Sequence, residues 1–85
     1  MEPSLSALIA EPKVIGLRQV IRGIGDNQIR CVLIAADADE SIRRQLITLC
    51  SRHQIPVMFT PSKAELGREV GIEVSCATVG FLKRA

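Results

Sequence analysis

The sequence predicts an α/β fold, a three-layer α-β-α sandwich around a four-stranded mixed sheet. Short apolar segments that are typical of strands alternate with longer segments in which apolar residues recur at helical spacing. The segment CVLIAA, at 31–36, is apolar without alternation, which is typical of a strand that is covered on both faces. Such a sheet needs helices on its two sides, and this gives the three layers.

The length and composition indicate one small domain, 1–85, without room for a second core. Apolar residues make up 47% of the chain, but Phe59 and Phe81 are its only aromatic residues. No apolar run approaches the roughly 20 residues of a membrane-spanning helix, and the first residues lack the pattern of a signal peptide. We therefore expect a cytoplasmic protein, with no membrane partner. The net charge of +2 is too small to indicate a nucleic-acid partner by itself.

The first half of the chain is predicted to begin with a short helix at 4–10 and a short strand at 13–16. A second helix is expected from Gly16 to about Gly25, with apolar residues at helical spacing: Leu17, Val20, Ile21 and Ile24. The glycines of GIGDNQ, at 23–28, follow this helix instead of opening one, so they do not form a dinucleotide-binding motif. Because glycine weakens a helix, this end is expected to fray.

The second half repeats the alternation of helix and strand. The longest helix is predicted over 40–53, with one apolar face formed by Ile42, Leu46, Leu49 and Cys50. A strand follows at 56–60. The next helix begins with a capping box, Ser62 and Glu65, and ends at Gly71. A last strand is predicted over 75–82.

The three cysteines, Cys31, Cys50 and Cys76, are expected to be small core residues in a reducing compartment. Cys50 and His53 would offer two metal ligands on one helix, but the sequence supplies no third or fourth. They also lack the third group that would orient a catalytic base. We therefore expect no metal ion, no cofactor and no catalytic residues.

The acids of LIAADADE, at 33–40, allow two interpretations. Asp37 follows a strand, where α/β folds place ligands, and Thr60 and Lys63 follow the next strand, so a metal or phosphoacceptor site is one interpretation. The other is that Asp37, Asp39 and Glu40 cap the coming helix and favour its positive end. The first strand ends in Gly16 and contributes no acid, and this favours the second interpretation.

The segment GLRQVIR, at 16–22, has the residues of an RNA-binding helix start. Arg18 and Arg22 are four residues apart and share one helix face with Gln19. Free backbone N–H groups at a helix start bind phosphate, arginine can bridge guanine O6 and N7, and glutamine can pair with a base edge. A solvated polar face is the simpler alternative. Likewise, the loop at 71–77 is either a buried connection or an apolar wall against an unstacked base.

These segments, in this order, resemble the kink-turn RNA-binding ribosomal protein family (L-seven-Ae / L-thirty-e type), with the short length of its bacterial members. The resemblance covers 13–79, and its most specific part is IPVMFTPSKAELGREVGIEV. It implies a partner RNA, ribosomal or regulatory, that is sharply bent at a three-nucleotide bulge beside tandem sheared G·A pairs. It implies neither an enzyme nor a cofactor, and we expect a monomer.

The family's signature helix, Gly-x-Asn-Glu-x-x-Lys, falls on Gly16, Arg18, Gln19 and Arg22. The resemblance implies that Gln19 and Arg22 meet the guanines of the G·A pairs, while Arg18 reaches a base edge or a phosphate. Lys63 falls at a phosphate contact. Asp39 would lie near the extruded nucleotide, beneath a loop that contains Ile72, Glu73, Val74 and Ala77.

The chain departs from the family pattern in two ways. Arg18 and Gln19 replace Asn and Glu, so a charge-assisted acceptor for guanine hydrogens becomes a neutral one. Asp26 stands where the family often has a basic residue and would repel phosphate. These changes are the basis of an alternative hypothesis, a protein-interaction module on the same fold with weakened or lost RNA binding.

Overall fold

The computed structural model describes residues 11–71 and 75–83. The elements in these ranges are β1 (Lys13–Ile15), α1 (Leu17–Gly25), β2 (Ile29–Ala35), α2 (Glu40–Arg52), β3 (Val57–Thr60), α3 (Lys63–Glu69) and β4 (Thr78–Leu82). The predicted alternation of strands and helices from residue 13 onward is confirmed. The helix predicted at 4–10 lies outside the described residues.

The four strands form one mixed sheet in the order β1-β4-β2-β3. β4 pairs antiparallel with β1 on one side and with β2 on the other, while β2 and β3 are parallel. The carboxyl ends of β1, β2 and β3 therefore meet the amino end of β4 at one edge of the sheet. The helices that follow these three strands all begin at that edge.

The sheet is covered on both faces, which confirms the three-layer prediction. Alternate residues of the central strand β2 face opposite ways: Cys31, Leu33 and Ala35 pack with Leu66 of α3. Val32 and Ile34 belong instead to the cluster that contains Val20 and Ile24 of α1 and Leu46 and Cys50 of α2. All these side chains are buried. The lack of alternation in the sequence of β2 follows from this double burial.

A bulge at the start of β2 places Ile29 on the α1 side of the sheet. The pairing of β2 with β4 shifts register between Ile29 and Cys31. Without the shift the two residues, which are two apart, would share a face, but Cys31 packs on the α3 side and Ile29 with α1. A bulge of this kind redirects one side chain without changing the rest of the strand.

Gly23 has a packing role that the sequence analysis did not predict. It is buried in α1, and a Cβ atom at this position would lie 2.8 Å from Cδ1 and 2.9 Å from Cγ1 of Ile29. The helix continues to Gly25. Gly23 thus permits close approach of α1 to the sheet, whereas a Cβ at Gly25 would meet nothing within 4 Å.

We expect Gly23→Ala to destabilise the protein by about 1 kcal/mol or more, because the added methyl group overpacks a buried contact and outweighs the gain in helix propensity. Gly25→Ala is the matched control. It adds the same methyl group in open space, so its stability should be unchanged or higher by up to about 1 kcal/mol. Urea unfolding of the two variants measures both effects, and equal stabilisation by both substitutions would contradict the packing role.

The N-cap that Ser62 was predicted to supply to α3 is confirmed. Ser62 Oγ accepts a hydrogen bond from the backbone N–H of Glu65 at 3.1 Å. At the other end Gly71, which has φ +79, donates its N–H to the carbonyl of Arg68. A left-handed residue directly after a helix is the usual position of glycine, and it ends α3 as predicted.

The three cysteines are free thiols in the core, as predicted. Burial raises the pKa of the Cys31, Cys50 and Cys76 thiols above the ordinary value, so each remains protonated at neutral pH. Cys50 is fully buried, while His53 at the end of α2 is exposed. The two side chains therefore point to different environments.

β3 is an outer strand of the sheet, paired only with β2 among the described strands. It exposes two large apolar side chains, Met58 at 40% and Phe59 at 54%. The register places Met58 beside Leu33 and Phe59 beside Ile34. The two side chains consequently lie on opposite faces of the sheet.

Candidate nucleic-acid interface

Gly16 forms the junction between β1 and α1. Its φ of 99° lies in the region that favours glycine, and it is the N-cap residue of the helix. Its N–H donates to the carbonyl of Thr78 in β4 at 3.0 Å, while its own carbonyl accepts from Val20 N–H at 3.0 Å. Gly16 therefore ties the helix start to the sheet and sets the direction in which α1 leaves it.

The start of α1 is electrostatically suited to an anion. The first backbone bond of the helix is made by Val20, so the N–H groups of Leu17, Arg18 and Gln19 precede the helical ladder. Gly16 supplies no side-chain cap, and the first turn contains no acid. Arg18, Gln19 and Arg22 are all exposed. Positive side chains thus add to the positive end of the helix dipole.

Backbone hydrogen bonds bring four segments together at this edge of the sheet. Ala35 N–H donates to Ala77 at 2.8 Å, and Ala36 N–H to Thr60 at 2.8 Å. Cys76 N–H donates to Lys63 at 3.0 Å. With the bond from Gly16 to Thr78, these contacts place the starts of α1, α2 and α3 beside the segment at 75–78.

Asp37 links two of these segments through its side chain. Its Oδ1 accepts a hydrogen bond of 2.7 Å from the backbone N–H of Lys63, the first residue of α3. The prediction that Asp37 caps the coming helix α2 is therefore wrong, since it caps α3 instead. The N–H of a first helical residue lacks a partner within its own helix, and a carboxylate is a favourable acceptor for it.

Asp39 stands at the N-cap of α2, as predicted, but its side chain makes no capping hydrogen bond. Its backbone carbonyl accepts from Arg43 N–H at 3.0 Å, and its carboxylate is exposed at the same edge. Glu40 lies in the first turn and forms an exposed ion pair of 2.8 Å with Arg44. The acidic residues of this stretch therefore lie in a turn and at the start of α2, and one of them, Asp37, caps α3.

We expect Asp37→Ala to lower the free energy of unfolding by about 0.5–2 kcal/mol, because it removes the acceptor for Lys63 N–H. Asp39→Ala is the control: it removes the same charge nearby but no capping bond, and should cost less than about 0.5 kcal/mol. Asp37→Asn keeps an acceptor oxygen and should recover part of the loss. Chemical denaturation measures all three, and equal effects of the two alanine variants would contradict the capping role.

Five of the ten predicted site residues meet at one edge of the sheet. Gly16, Arg18, Asp39, Lys63 and Ala77 belong to segments that meet at the edge described above, and the side chains of Lys63 and Ala77 are half-buried. Gln19 and Arg22 continue along α1 and line a shallow pocket beside β1. The loop residues Ile72, Glu73 and Val74 lie outside the described residues.

Asp37 is the residue whose hydrogen-bond partner the sequence analysis predicted wrongly. The available signal was its position directly after a strand, where acceptors for neighbouring helix starts lie close. In the described part of the chain, three or more His, Cys, Asp or Glu side chains nowhere gather into a possible metal site. No helix within residues 11–71 and 75–83 has the length and apolar character to span a membrane.

Comparison with known proteins agrees with this architecture. An RNA-binding protein of Halalkalibacterium halodurans is 33% identical over 70 residues, which are 82% of this chain and 85% of the relative. An RNA-binding protein of Staphylococcus aureus is 30% identical over 70 residues, covering 82% and 83% of the two chains.

Two solved structures share the fold. The Giardia lamblia 15.5kD RNA binding protein superposes with a TM-score of 0.79 at 27% identity, over 86% of this chain and 62% of the Giardia chain. A protein of unknown function from Bacillus halodurans gives a TM-score of 0.78 at 25% identity, over 84% of this chain and 71% of the other.

The family model for the ribosomal protein L7Ae/L30e/S12e/Gadd45 family matches residues 5–84, which is nearly the whole chain. The resemblance inferred from the helix start at Gly16 and from the segment around Lys63 is thereby confirmed. This chain is a member of the ribosomal protein L7Ae/L30e/S12e/Gadd45 family.

Proposed function

We propose that this protein binds RNA through the edge of the sheet at which α1, α2 and α3 begin, and that its ligand is a kink-turn with tandem G·A pairs. The observation that carries the proposal is the start of α1. Gly16 leaves the first helical N–H groups without a side-chain cap, and Arg18, Gln19 and Arg22 are exposed beside them. The names of the H. halodurans, S. aureus and Giardia relatives support an RNA ligand.

Each residue has a proposed role that is taken from the family pattern. Gln19 and Arg22 meet the guanine edges of the G·A pairs, and Arg18 reaches a phosphate or a base edge. Lys63, at the start of α3, contacts a phosphate. Asp39 and Ala77 border the extruded nucleotide, together with the loop residues Ile72, Glu73 and Val74.

Binding by this surface would stabilise the bent form of an RNA that otherwise straightens, because only the bent form meets all these groups at once. Three or four phosphate contacts predict that log affinity falls with log salt concentration with a slope of roughly −2 to −4. The proposed function is non-enzymatic, and it belongs to a monomer in the cytoplasm acting on a ribosomal or regulatory RNA.

The test is a titration of a kink-turn RNA at fixed salt, alongside the same RNA with both G·A pairs converted to Watson–Crick pairs. We expect the intact kink-turn to bind at least tenfold more tightly, which corresponds to about 1.4 kcal/mol. Equal affinity for the two RNAs would contradict the kink-turn proposal and would leave only a general attraction to the basic surface.

A protein-interaction module is the second candidate function, and β3 is the observation that favours it. Met58 and Phe59 expose large apolar side chains on an outer strand, one on each face of the sheet, so a partner that covers this edge of the sheet would bury apolar surface on both faces. Under this alternative no kink-turn would bind at any salt concentration. The same titration, repeated at low salt, therefore separates the two candidates.

A further inference from the structure

A second feature lies along α1, beyond the helix start. Gln19, Arg22 and Asp26 line a polar pocket of about 310 Å³ together with Gln28, which precedes β2. Val14 and Leu82 form its apolar wall. Its volume is at the lower end of the range for small-ligand sites, roughly 300–1,000 Å³.

The polar side of this pocket is held by backbone bonds at the end of α1. Asn27 adopts a left-handed conformation with φ 60 and donates its N–H to Ile24 at 3.0 Å. Gln28 N–H donates to Gly23 at 2.9 Å, which completes a Schellman motif. The backbone around Asp26 and Gln28 is therefore fixed before any ligand arrives.

The pocket is also tied to the end of β4. Lys83 N–H donates to the Gln28 carbonyl at 2.8 Å, and its Nζ donates to Asn27 Oδ1 at 2.7 Å. These bonds hold Leu82, the apolar wall, beside Gln28. A preformed polar pocket loses less entropy on binding than one that must be ordered.

Opposite charges face this pocket without neutralising each other. Arg22 lies on α1 and Asp26 is the C-cap residue four positions later, and these two described side chains form no ion pair with each other. Both Arg22 and Asp26 are exposed. Their donor and acceptor groups consequently remain available to a ligand.

We propose that this pocket binds the edge of a guanine base, with Asp26 accepting its N1 and N2 hydrogens and Arg22 donating to O6 and N7. Guanine is the only RNA base with two adjacent donors on its Watson–Crick edge, so it alone can bind a carboxylate in bidentate fashion. Arginine is the usual donor to guanine O6 and N7. Arg22 and Asp26 lie about one helical turn apart and line the same pocket, so a guanidinium and a carboxylate face the same space.

This inference rests on the proposed RNA binding and changes the role that the sequence analysis gave to Asp26. At the position of Gln19 the family has a carboxylate, which this chain lacks, while Asp26 lies seven residues later, on the same side of the helix, and lines the same pocket. In this inference Asp26 contacts a base and does not act only by repelling phosphate. The RNA would approach with a guanine edge, and not its backbone, at the end of α1.

The test is the affinity of Asp26→Asn for the RNA that the wild-type protein binds best. If Asp26 holds a guanine, the variant binds about fivefold or more weakly. If Asp26 only repels phosphate, the variant binds more tightly, so the two interpretations predict changes of opposite sign. Glu69→Gln is the matched control, because it removes one exposed carboxylate at the end of α3 on the other face of the sheet and should leave affinity nearly unchanged.

Inosine, which lacks the N2 amino group, identifies the contacted base. Replacing each guanosine in turn should weaken wild-type binding at one position, and Asp26→Asn should lose nothing further there, since both changes remove one interaction. Additive losses, or unchanged or tighter binding by Asp26→Asn, would overturn the inference. Circular dichroism and thermal unfolding of the variant establish that its fold is intact.

The inference and the proposed function can fail separately. A protein that binds the intact and the converted kink-turn equally, but still shows the coupling of Asp26 to one guanine, retains the pocket and loses the kink-turn specificity. If no RNA binds, titration with guanosine and inosine monophosphates, followed by amide shifts of Asp26 and Gln28, decides the question. Amide shifts with guanosine monophosphate but not with inosine monophosphate would support guanine binding by this pocket. The absence of such shifts would overturn the inference.

Discussion

Replacing Phe81 by Ala should destabilise the protein by about 3–5 kcal/mol. Phe81 lies in β4 with no exposed surface and packs against the α3 side of the sheet. The total stability expected for 85 residues is roughly 4–13 kcal/mol, at about 0.05–0.15 kcal/mol per residue. The substitution therefore removes a large share of it, and urea denaturation should show a strongly lowered midpoint or an unfolded chain.

The chain offers a matched control, because its only other aromatic residue is also a phenylalanine. Phe59 lies on the outer strand β3 and is 54% exposed. Phe59→Ala deletes the same atoms but opens no cavity, so it should cost less than about 1 kcal/mol. Similar losses for the two variants would mean that the side chain of Phe81 does not occupy the core position described here.

Replacing Arg22 by Ala should weaken kink-turn binding by about 1–3 kcal/mol, or roughly 5- to 150-fold. Arg22 is exposed on α1, one turn beyond the helix start, and lines the same pocket as Gln19. Its loss removes a bidentate donor to guanine. The loss of affinity should be largest for RNAs that keep the G·A pairs.

Arg68→Ala is the control for net charge, since Arg68 is exposed near the end of α3 on the opposite face of the sheet. Its effect on affinity should be small and equal for the intact and the converted RNA. A second measurement, the slope of log affinity against log salt, separates charge from base contact. If Arg22→Ala reduced affinity for both RNAs equally and made the slope shallower by about one, Arg22 would contact phosphate instead of guanine.

The elements that the sequence predicted most closely are those with local signals. The cap at Ser62 and the terminal Gly71 involve residues within one helix and its ends, and the structure confirms both. The apolar face of α2 is also confirmed, with Leu46 and Cys50 buried and Ile42 and Leu49 partly covered. Helical periodicity is a property of consecutive residues, and it needs no knowledge of the partner surface.

The boundaries of the strands were predicted less accurately, because pairing partners are distant in the sequence. β2 begins at Ile29, two residues before the predicted start, since Ile29 pairs with Leu82 across a bulge. β4 begins at Thr78 and not at residue 75, because Cys76 instead donates to Lys63 at the start of α3.

The candidate site also combines features that the local sequence predicts with long-range contacts that it does not. Exposure of Arg18, Gln19 and Arg22 follows from the pattern of α1, and the structure agrees with it. The bond from Lys63 N–H to Asp37 joins residues 26 positions apart, and the pocket joins Asp26 to Leu82. Such contacts depend on the strand order β1-β4-β2-β3, which no local pattern of the sequence specifies.

The outer position of β3 has a consequence for how the protein behaves at high concentration. Val32 of β2 donates to the carbonyl of Pro56, and Ala36, directly after β2, donates to that of Thr60. Alternation therefore directs the backbone groups of Val57 and Phe59 outward. Pro56 and Pro61 bracket the strand, and neither can donate a hydrogen bond. A second chain could therefore form backbone hydrogen bonds with only Val57 and Phe59 on this strand, and the edge formed by β3 should resist sheet extension even though Met58 and Phe59 are exposed.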